Sequence, residues 1–238
     1  MDFAIIAAGE GSRLAKSGYP YPKPLAKLQG IPLIERLIAI FRRCGADTIH
    51  IIINEEATLL ADYLQTYSAE APIRIVRKTT PSSLHSFHEL LKDIPSINEL
   101  CATTVDTIFR EEEFEGYLHA FKTNTSLDAL MAVTPFVEDE SPLYVETNER
   151  GFITAFADKV TDNGEILVSG GIYALRGKSL ACVEQAINNK IERMRNYQRL
   201  LLKNNLQVKA FTFDKIIDID HLSDLHIAEE WLNEVKIS

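Results

Sequence analysis

Two periodicities organise the apolar positions of this chain. Residues 3–8 (FAIIAA) are one continuous apolar run, short and closed off by Gly9 and Gly11, the pattern of a strand buried on both faces. Residues 31–44 then place Leu33, Ile34, Leu37, Ile38, Ile40 and Phe41 at helical spacing. Pro32 suits the first turn of that helix and Gly45 its stop. Residues 48–53 (TIHIII) are continuous and β-branched and read as a second buried strand. Residues 55–66 read as helix and 73–76 as a third strand. Strand, helix, strand, helix, strand is the alternation of a parallel sheet with helical crossovers.

The pattern continues to the C-terminus. Pro81, Ser82 and Ser83 break the chain and cap a helix to about residue 91. Residues 100–105 form a fourth strand that Asp106 ends, 110–122 a helix, and 128–134 another strand. Residues 144–146 and 152–154 flank a turn made of Asn148, Glu149, Arg150 and Gly151, a hairpin. Residues 169–175 (SGGIYAL) are a glycine-led strand, 179–203 are helical in one or two pieces, and 208–213 are a late strand. A last helix spans 224–234, with Ser223 as its expected cap. His85 and His88, three apart beside Glu89, read as a partly exposed helix face, since no third ligand stands at metal-site spacing. Arg193, Arg195 and Arg199 read as a solvated face.

Composition narrows the class. The 238 residues, 46 % apolar and 25 % charged, suit one α/β domain with a full core. The net charge of −9, with no basic stripe, argues against a protein that tracks nucleic acid. No apolar run reaches membrane-spanning length, so no membrane partner is expected. The three cysteines, Cys44, Cys101 and Cys182, are far apart and lack metal-ligand spacing. A reduced, cytoplasmic setting with thiols as apolar filler is the expectation, and Met1-Asp2 leads into the first strand with no basic leader segment.

The chemistry concentrates after the first strand. Gly9 and Gly11 let the backbone bend and approach a ligand, and Arg13 and Lys23 add two positive charges to the same loop. Backbone amides plus cations in a glycine bend are what a polyphosphate requires. Two familiar phosphate loops do not match. Leu14 stands where the dinucleotide fingerprint needs a small residue, and Ala15 stands where the Walker loop needs glycine before its Lys-Ser pair. The plainer reading is a surface loop with two turn glycines and two solvated cations.

A longer pattern does match. AAGEGSRL followed by PKPLAKLQGIPLIERLI, with Gly9, Gly11, Arg13, Pro22, Lys23, Pro24, Leu25, Gly30 and Pro32 in place, resembles the N-terminal signature of the NDP-sugar pyrophosphorylases, nucleotidyltransferases that activate sugar 1-phosphates. The resemblance implies a Rossmann-like nucleotide-diphospho-sugar transferase fold, α/β, with a mostly parallel mixed sheet flanked by helices. It implies a single domain over 1–238, with a nucleotide part at about 1–110 and an acceptor part at about 111–238.

Roles follow from the same resemblance. Ala8, Gly9, Gly11 and Ser12 would cradle the nucleoside triphosphate, and Thr80, Ser82 and Ser83 occupy the loop that contacts the nucleobase. Arg13 and Lys23 would steady the transferring phosphates. Asp106 takes the position of the first Mg²⁺ ligand. In the closing IIDIDHLSDL segment Asp218 and Asp220 point the same way on an extended chain, and either can be the second ligand. Lys159, beside Asp158 where the family has Glu-Lys, would hold the phosphate of a sugar or alcohol acceptor, in a pocket closed by Gly170 and Gly171. Two other readings stay open. One is a glycosyltransferase of related fold, although the mid-chain Val105-Asp106-Thr107-Ile108 lacks a second Asp. The other is a non-catalytic nucleotide or sugar-phosphate sensor. The nucleobase, the acceptor and the oligomeric state are left open.

Overall fold

The computed structural model describes residues 1–9, 11–67, 72–94, 97–137, 140–160 and 166–234. In chain order the strands are β1 (Asp2–Ala7), β2 (Lys27–Leu28), β3 (Ile31–Pro32), β4 (Ile49–Ile53), β5 (Ile73–Arg77), β6 (Glu99–Thr104), β7 (Thr107–Ile108), β8 (Ala129–Thr134), β9 (Tyr144–Thr147), β10 (Ile153–Ala157), β11 (Val168–Arg176), β12 (Val208–Thr212) and β13 (Ile217–Asp218). The helices are α1 (Ser12–Lys16), α2 (Leu33–Arg43), α3 (Thr58–Gln65), α4 (Ser83–Lys92), α5 (Glu111–Thr123), α6 (Gly177–Asn188), α7 (Met194–Lys203) and α8 (Leu222–Asn233).

The central sheet is mixed and mostly parallel, as expected. The order β5-β4-β1-β6 is parallel throughout. β11 then runs against β6 and β8, and β12 lies parallel to β8. Hairpin β9-β10 branches from the start of β11. Its turn is built as the sequence suggests: Gly151 has φ of 77°, and the Asn148 side chain accepts from the amides of Arg150 and Phe152.

Helices cover both faces, which explains why β1 reads as an unbroken apolar run. Its residues alternate between two cores. Phe3, Ile5 and Ala7 face the core that α2, α3 and α5 close with Phe41, Leu64 and Phe114. Ala4 and Ile6 face the core closed by α4, α6 and α7 through Phe87, Val183 and Tyr197. A third cluster unites distant segments. Leu14, Leu28 and Leu33 from the N-terminal loop pack with Ile108, with Ile217 and Ile219, and with Leu225 and Trp231 of α8.

Several local expectations need correction. Pro32 closes a two-strand ribbon, β2-β3, and stands just before α2 rather than within its first turn. α3 begins at Thr58, because Asn54 first forms a turn, its side chain accepting from the Glu56 amide. Ser223 is not the cap of the last helix. α8 starts at Leu222, and the Asp224 carboxylate reaches back to the amides of Asp220 and His221, at 2.8 and 2.6 Å. His88 is buried against α6, with Nε2 2.5 Å from Glu184, not on an exposed face. Arg195 and Arg199 do not form a solvated face either: both converge on Asp158, at 2.9 and 2.8 Å. Cys101 and Cys182 are buried filler, whereas Cys44 is half-buried.

Candidate active site

The carboxyl ends of β1, β4, β5 and β6 open onto one cavity of about 430 Å³. Parallel strands aim their free ends at such a place, and ligands collect there. Ala8, Gly9, Gly11, Ser12, Arg13 and Lys23 line it from the first loop. Thr80, Ser82 and Ser83 line it from the segment after β5, and Asp106 and Asp220 from the far side. The glycine bend, the hydroxyl loop and two of the three aspartates named from sequence therefore share one space.

Gly11 shows why the bend is built this way. Its φ is 61°, a left-handed conformation, and it precedes the five-residue helix α1. A Cβ there would stand 2.9 Å from Cβ of Lys23. Glycine thus satisfies the backbone conformation and the close approach together. Lys23 opens a short 3₁₀ turn, Lys23–Leu25, held between Pro22 and Pro24, and the Ala26 amide donates to its carbonyl.

The side-chain charges are paired across the cavity. Lys23 Nζ donates to Asp106 Oδ2 at 2.5 Å and to Asp220 Oδ1 at 2.8 Å. Arg13 Nη1 stands 2.6 Å from Asp220 Oδ2. Burial opposes the charge on Lys23, but Asp106, followed by Asp220, outweighs it and holds the ammonium above the ordinary lysine value.

Asp218 lies one step further along. Its side chain is open to the cleft, yet the protein mass around it disfavours the charged form. That desolvation, followed by the nearby Asp106 carboxylate, pushes its carboxyl up to about 7, against a hydrogen bond from Thr107. Asp106 and Asp218 offer oxygen donors only, the ligands a hard cation takes. Among the described residues no group of three or more His, Cys, Asp or Glu has the spacing of an all-protein cage. Two carboxylates with phosphate oxygens completing the sphere is the arrangement Mg²⁺ accepts, so the residues fit such an ion.

A second, smaller cavity of about 80 Å³ adjoins the first, and Arg13 and Asp220 line both. Ser169 and Gly170, Phe136, Glu140, Asp218, His221 and Asp224 are among its other lining residues. The pairing of β11 with β8 shifts between Ser169 and Tyr173, a bulge, and Gly171 within it has φ of 72°. At Gly170 the close approach is made by the protein itself: a Cβ would lie 2.3 Å from Ile216 Cδ1. Lys159 lies exposed just past β10 and lines neither cavity; its neighbour Asp158 is held by Arg195 and Arg199.

Sequence reasoning missed Asn54, Thr79, Ser86 and Thr104 in the first cavity and Phe136, Glu140, Ser169 and His221 in the second. Asn54 and Thr104 stand at strand carboxyl ends, which is a usable signal. Ser86 follows Ser83 by three positions on α4, which is a helical-spacing signal, and the others carry no local signal.

A family profile described as MobA-like NTP transferase domain matches residues 3–169, well over half of the chain. The chain belongs to this family. The match agrees with the nucleotidyltransferase family expected from the N-terminal motif. Among curated relatives, the bifunctional protein GlmU of Bartonella bacilliformis is 25 % identical, over 94 % of this chain and 51 % of its own length. GlmU of Clostridioides difficile is 22 % identical, over 95 % of this chain and 50 % of its own length. The NTP transferase chain thus spans about half the length of the curated relatives it matches.

Solved structures share the fold. The inositol-1-phosphate CTP transferase from T. maritima superposes with a TM-score of 0.81 at 16 % identity, covering 100 % of this chain and 96 % of that one. A putative glucose-1-phosphate thymidylyltransferase from Bacillus anthracis gives 0.80 at 16 % identity, covering 100 % and 97 %. Among the described residues no helix is long and apolar enough to cross a membrane.

Proposed function

We propose that this NTP transferase joins a nucleoside triphosphate to a phosphorylated acceptor, a sugar 1-phosphate or a similar alcohol phosphate, and releases pyrophosphate with Mg²⁺ as cofactor. One observation carries the reading: Arg13, Lys23, Asp106 and Asp220 line one cavity, and Arg13 and Asp220 also line a second one beside Gly170 and Asp218. Residues 1–110 supply the nucleotide half and 111–238 most of the acceptor half of one domain. The relatives fit this reading, since the T. maritima and B. anthracis proteins are described as transferases between a nucleotide and a phosphorylated inositol or sugar.

The chemistry is charge control. An acceptor phosphate oxygen attacks the α-phosphorus, the bond from α-phosphorus to the bridging oxygen breaks, and pyrophosphate leaves with the electron pair. The attacking oxygen is already ionised near neutral pH, so no general base is needed. Gly9 and Gly11 let backbone amides near Ala8 and Ser12 approach the phosphates. Arg13, at the junction of the cavities, steadies the transferring group and the leaving pyrophosphate, and Lys23 holds the triphosphate near its α-phosphate. Asp106, with Asp218 or Asp220, would hold Mg²⁺, which when bound would neutralise phosphate charge. Thr80, Ser82 and Ser83 face the nucleobase. Lys159, exposed just past β10, would bind the acceptor's phosphate. Positioning and electrostatic stabilisation supply most of the rate.

The decisive assay is pyrophosphate release with four triphosphates against a panel of sugar 1-phosphates and alcohol phosphates. Release with at least one pairing, dependent on Mg²⁺, is expected. Binding of triphosphate without release from any pairing would instead favour a sensor.

A further inference from the structure

Asp218 and Asp220 stand two residues apart, yet their surroundings differ. Both oxygens of Asp220 are engaged by cations: Oδ1 lies 2.8 Å from Lys23 Nζ and Oδ2 lies 2.6 Å from Arg13 Nη1. Its backbone is fixed as well, because the Asp220 amide donates to Asp224 Oδ2 at 2.8 Å, within the capping arrangement of α8. Among the described residues no ion pair involves Asp218, although its side chain is open to the cleft beside Asp106.

We infer that Asp220 is a positioning residue, which holds Arg13 and Lys23 in place for the phosphates and is not itself a ligand of the divalent ion. The inference rests on the metal-dependent nucleotidyl transfer proposed above. Arg13 and Lys23 carry like charges on flexible stems, and Arg13 is half exposed. A carboxylate between them cancels their repulsion and fixes both heads at the junction of the two cavities. Orientation is thereby set before substrate arrives. The same arrangement carries a cost, since phosphate oxygens must compete with Asp220 for these donors. A carboxylate already bridging two cations is also a poor metal ligand, because the ion would have to displace one of them.

The test uses the full chain and two probes that need no acceptor. Mn²⁺ alone, followed by electron paramagnetic resonance, is titrated into wild type, Asp218→Asn and Asp220→Asn. Asp218→Asn is expected to weaken Mn²⁺ by about tenfold or more, the scale on which metal sites respond to lost partners, while Asp220→Asn stays near wild type. Inorganic tripolyphosphate without metal is then titrated by calorimetry. Asp220→Asn is expected to bind it more tightly than wild type, because two cations are released; a merely structural role would weaken it. Should Asp220→Asn fail to fold, Asp220→Ser is titrated with the same two probes and judged by the same two outcomes.

Equal Mn²⁺ losses in Asp218→Asn and Asp220→Asn, weaker tripolyphosphate binding in Asp220→Asn, or no Mn²⁺ binding to wild type would overturn the inference. The proposed reaction itself stands or falls on pyrophosphate release, measured separately.

Discussion

The ammonium of Lys23 lies 2.5 Å from a carboxylate oxygen of Asp106, although 83 positions separate them in the chain. Both side chains are largely withdrawn from solvent, Lys23 at 10 % and Asp106 at 19 % exposed. A pair so placed is not a surface ion pair of little consequence. Removal of either member leaves the other's charge without its main partner.

Arg13→Ala and Asp106→Ala should each lower kcat/KM by about a hundredfold, the loss typical of one charged group aimed at a developing phosphoryl charge, about 3 kcal/mol. Far-ultraviolet circular dichroism should stay that of wild type. Wild-type turnover by either variant would remove that residue from the catalytic scheme.

Gly170→Ala should destabilise the fold by about 1–3 kcal/mol, the usual range for overpacking. The new methyl would stand 2.3 Å from Ile216 Cδ1. Ile216→Val deletes that Cδ1, so the double variant should recover much of the loss in urea denaturation. Additive losses would place the strain elsewhere.

Asp218 gives the metal-free protein a pH dependence of definite sign. Its carboxyl is raised from 3.8 to about 7 in the folded protein, so the native state binds more protons than the unfolded chain in that interval. This group's contribution to stability therefore falls as pH rises from about 4 to 7 and stays low above it. Thermal melts of Asp218→Asn in chelator should show a higher Tm than wild type at pH 8 and nearly the same Tm at pH 4. Because the side chain is open to solvent, the difference should be a few degrees at most. An Asp218→Asn protein less stable than wild type at pH 8 would contradict the assignment.

Lys159→Met should raise KM for the acceptor and leave KM for the triphosphate unchanged, since Lys159 stands beyond the nucleotide cavity. Steady-state kinetics with each substrate varied in turn would check this. A change confined to the triphosphate would assign Lys159 to the wrong half.

Leu225→Ala in α8 should cost about 2–5 kcal/mol, as buried leucines do, and should weaken Mn²⁺ binding although Leu225 touches no ligand. Leu225 packs in the cluster that also holds Leu14, Ile108, Ile217 and Ile219. Unaltered metal affinity in a destabilised variant would show that this cluster does not hold the site.

The sequence by itself determined the sheet and its helices, because both of their periodicities are local. The unbroken apolar run of β1 states that both of its faces are buried, and the helical spacing of Leu33, Leu37 and Phe41 states which face of α2 is, wherever the elements end up. It also determined the glycine bend and its two cations, since Gly9, Gly11, Arg13 and Lys23 lie within one short stretch. Local pattern failed where a side chain's partner is distant. Nothing near His88 announces Glu184, and nothing near Arg195 and Arg199 announces Asp158. Ser223 reads as a cap, but α8 already begins at Leu222, and Asp224 bonds back to the amides of Asp220 and His221 instead.

Only the tertiary structure decided that the first loop, the turn after β6 and the approach to α8 meet. It decided as well that Asp220 holds two cations while Asp218, among the described residues, pairs with none. The reason is the third core. Leu14 beside Arg13, Ile108 near Asp106, and Ile219 between the two aspartates are all driven out of water into one cluster with Trp231. Burial is indifferent to separation along the chain, so it gathers charged neighbours that no local pattern could pair.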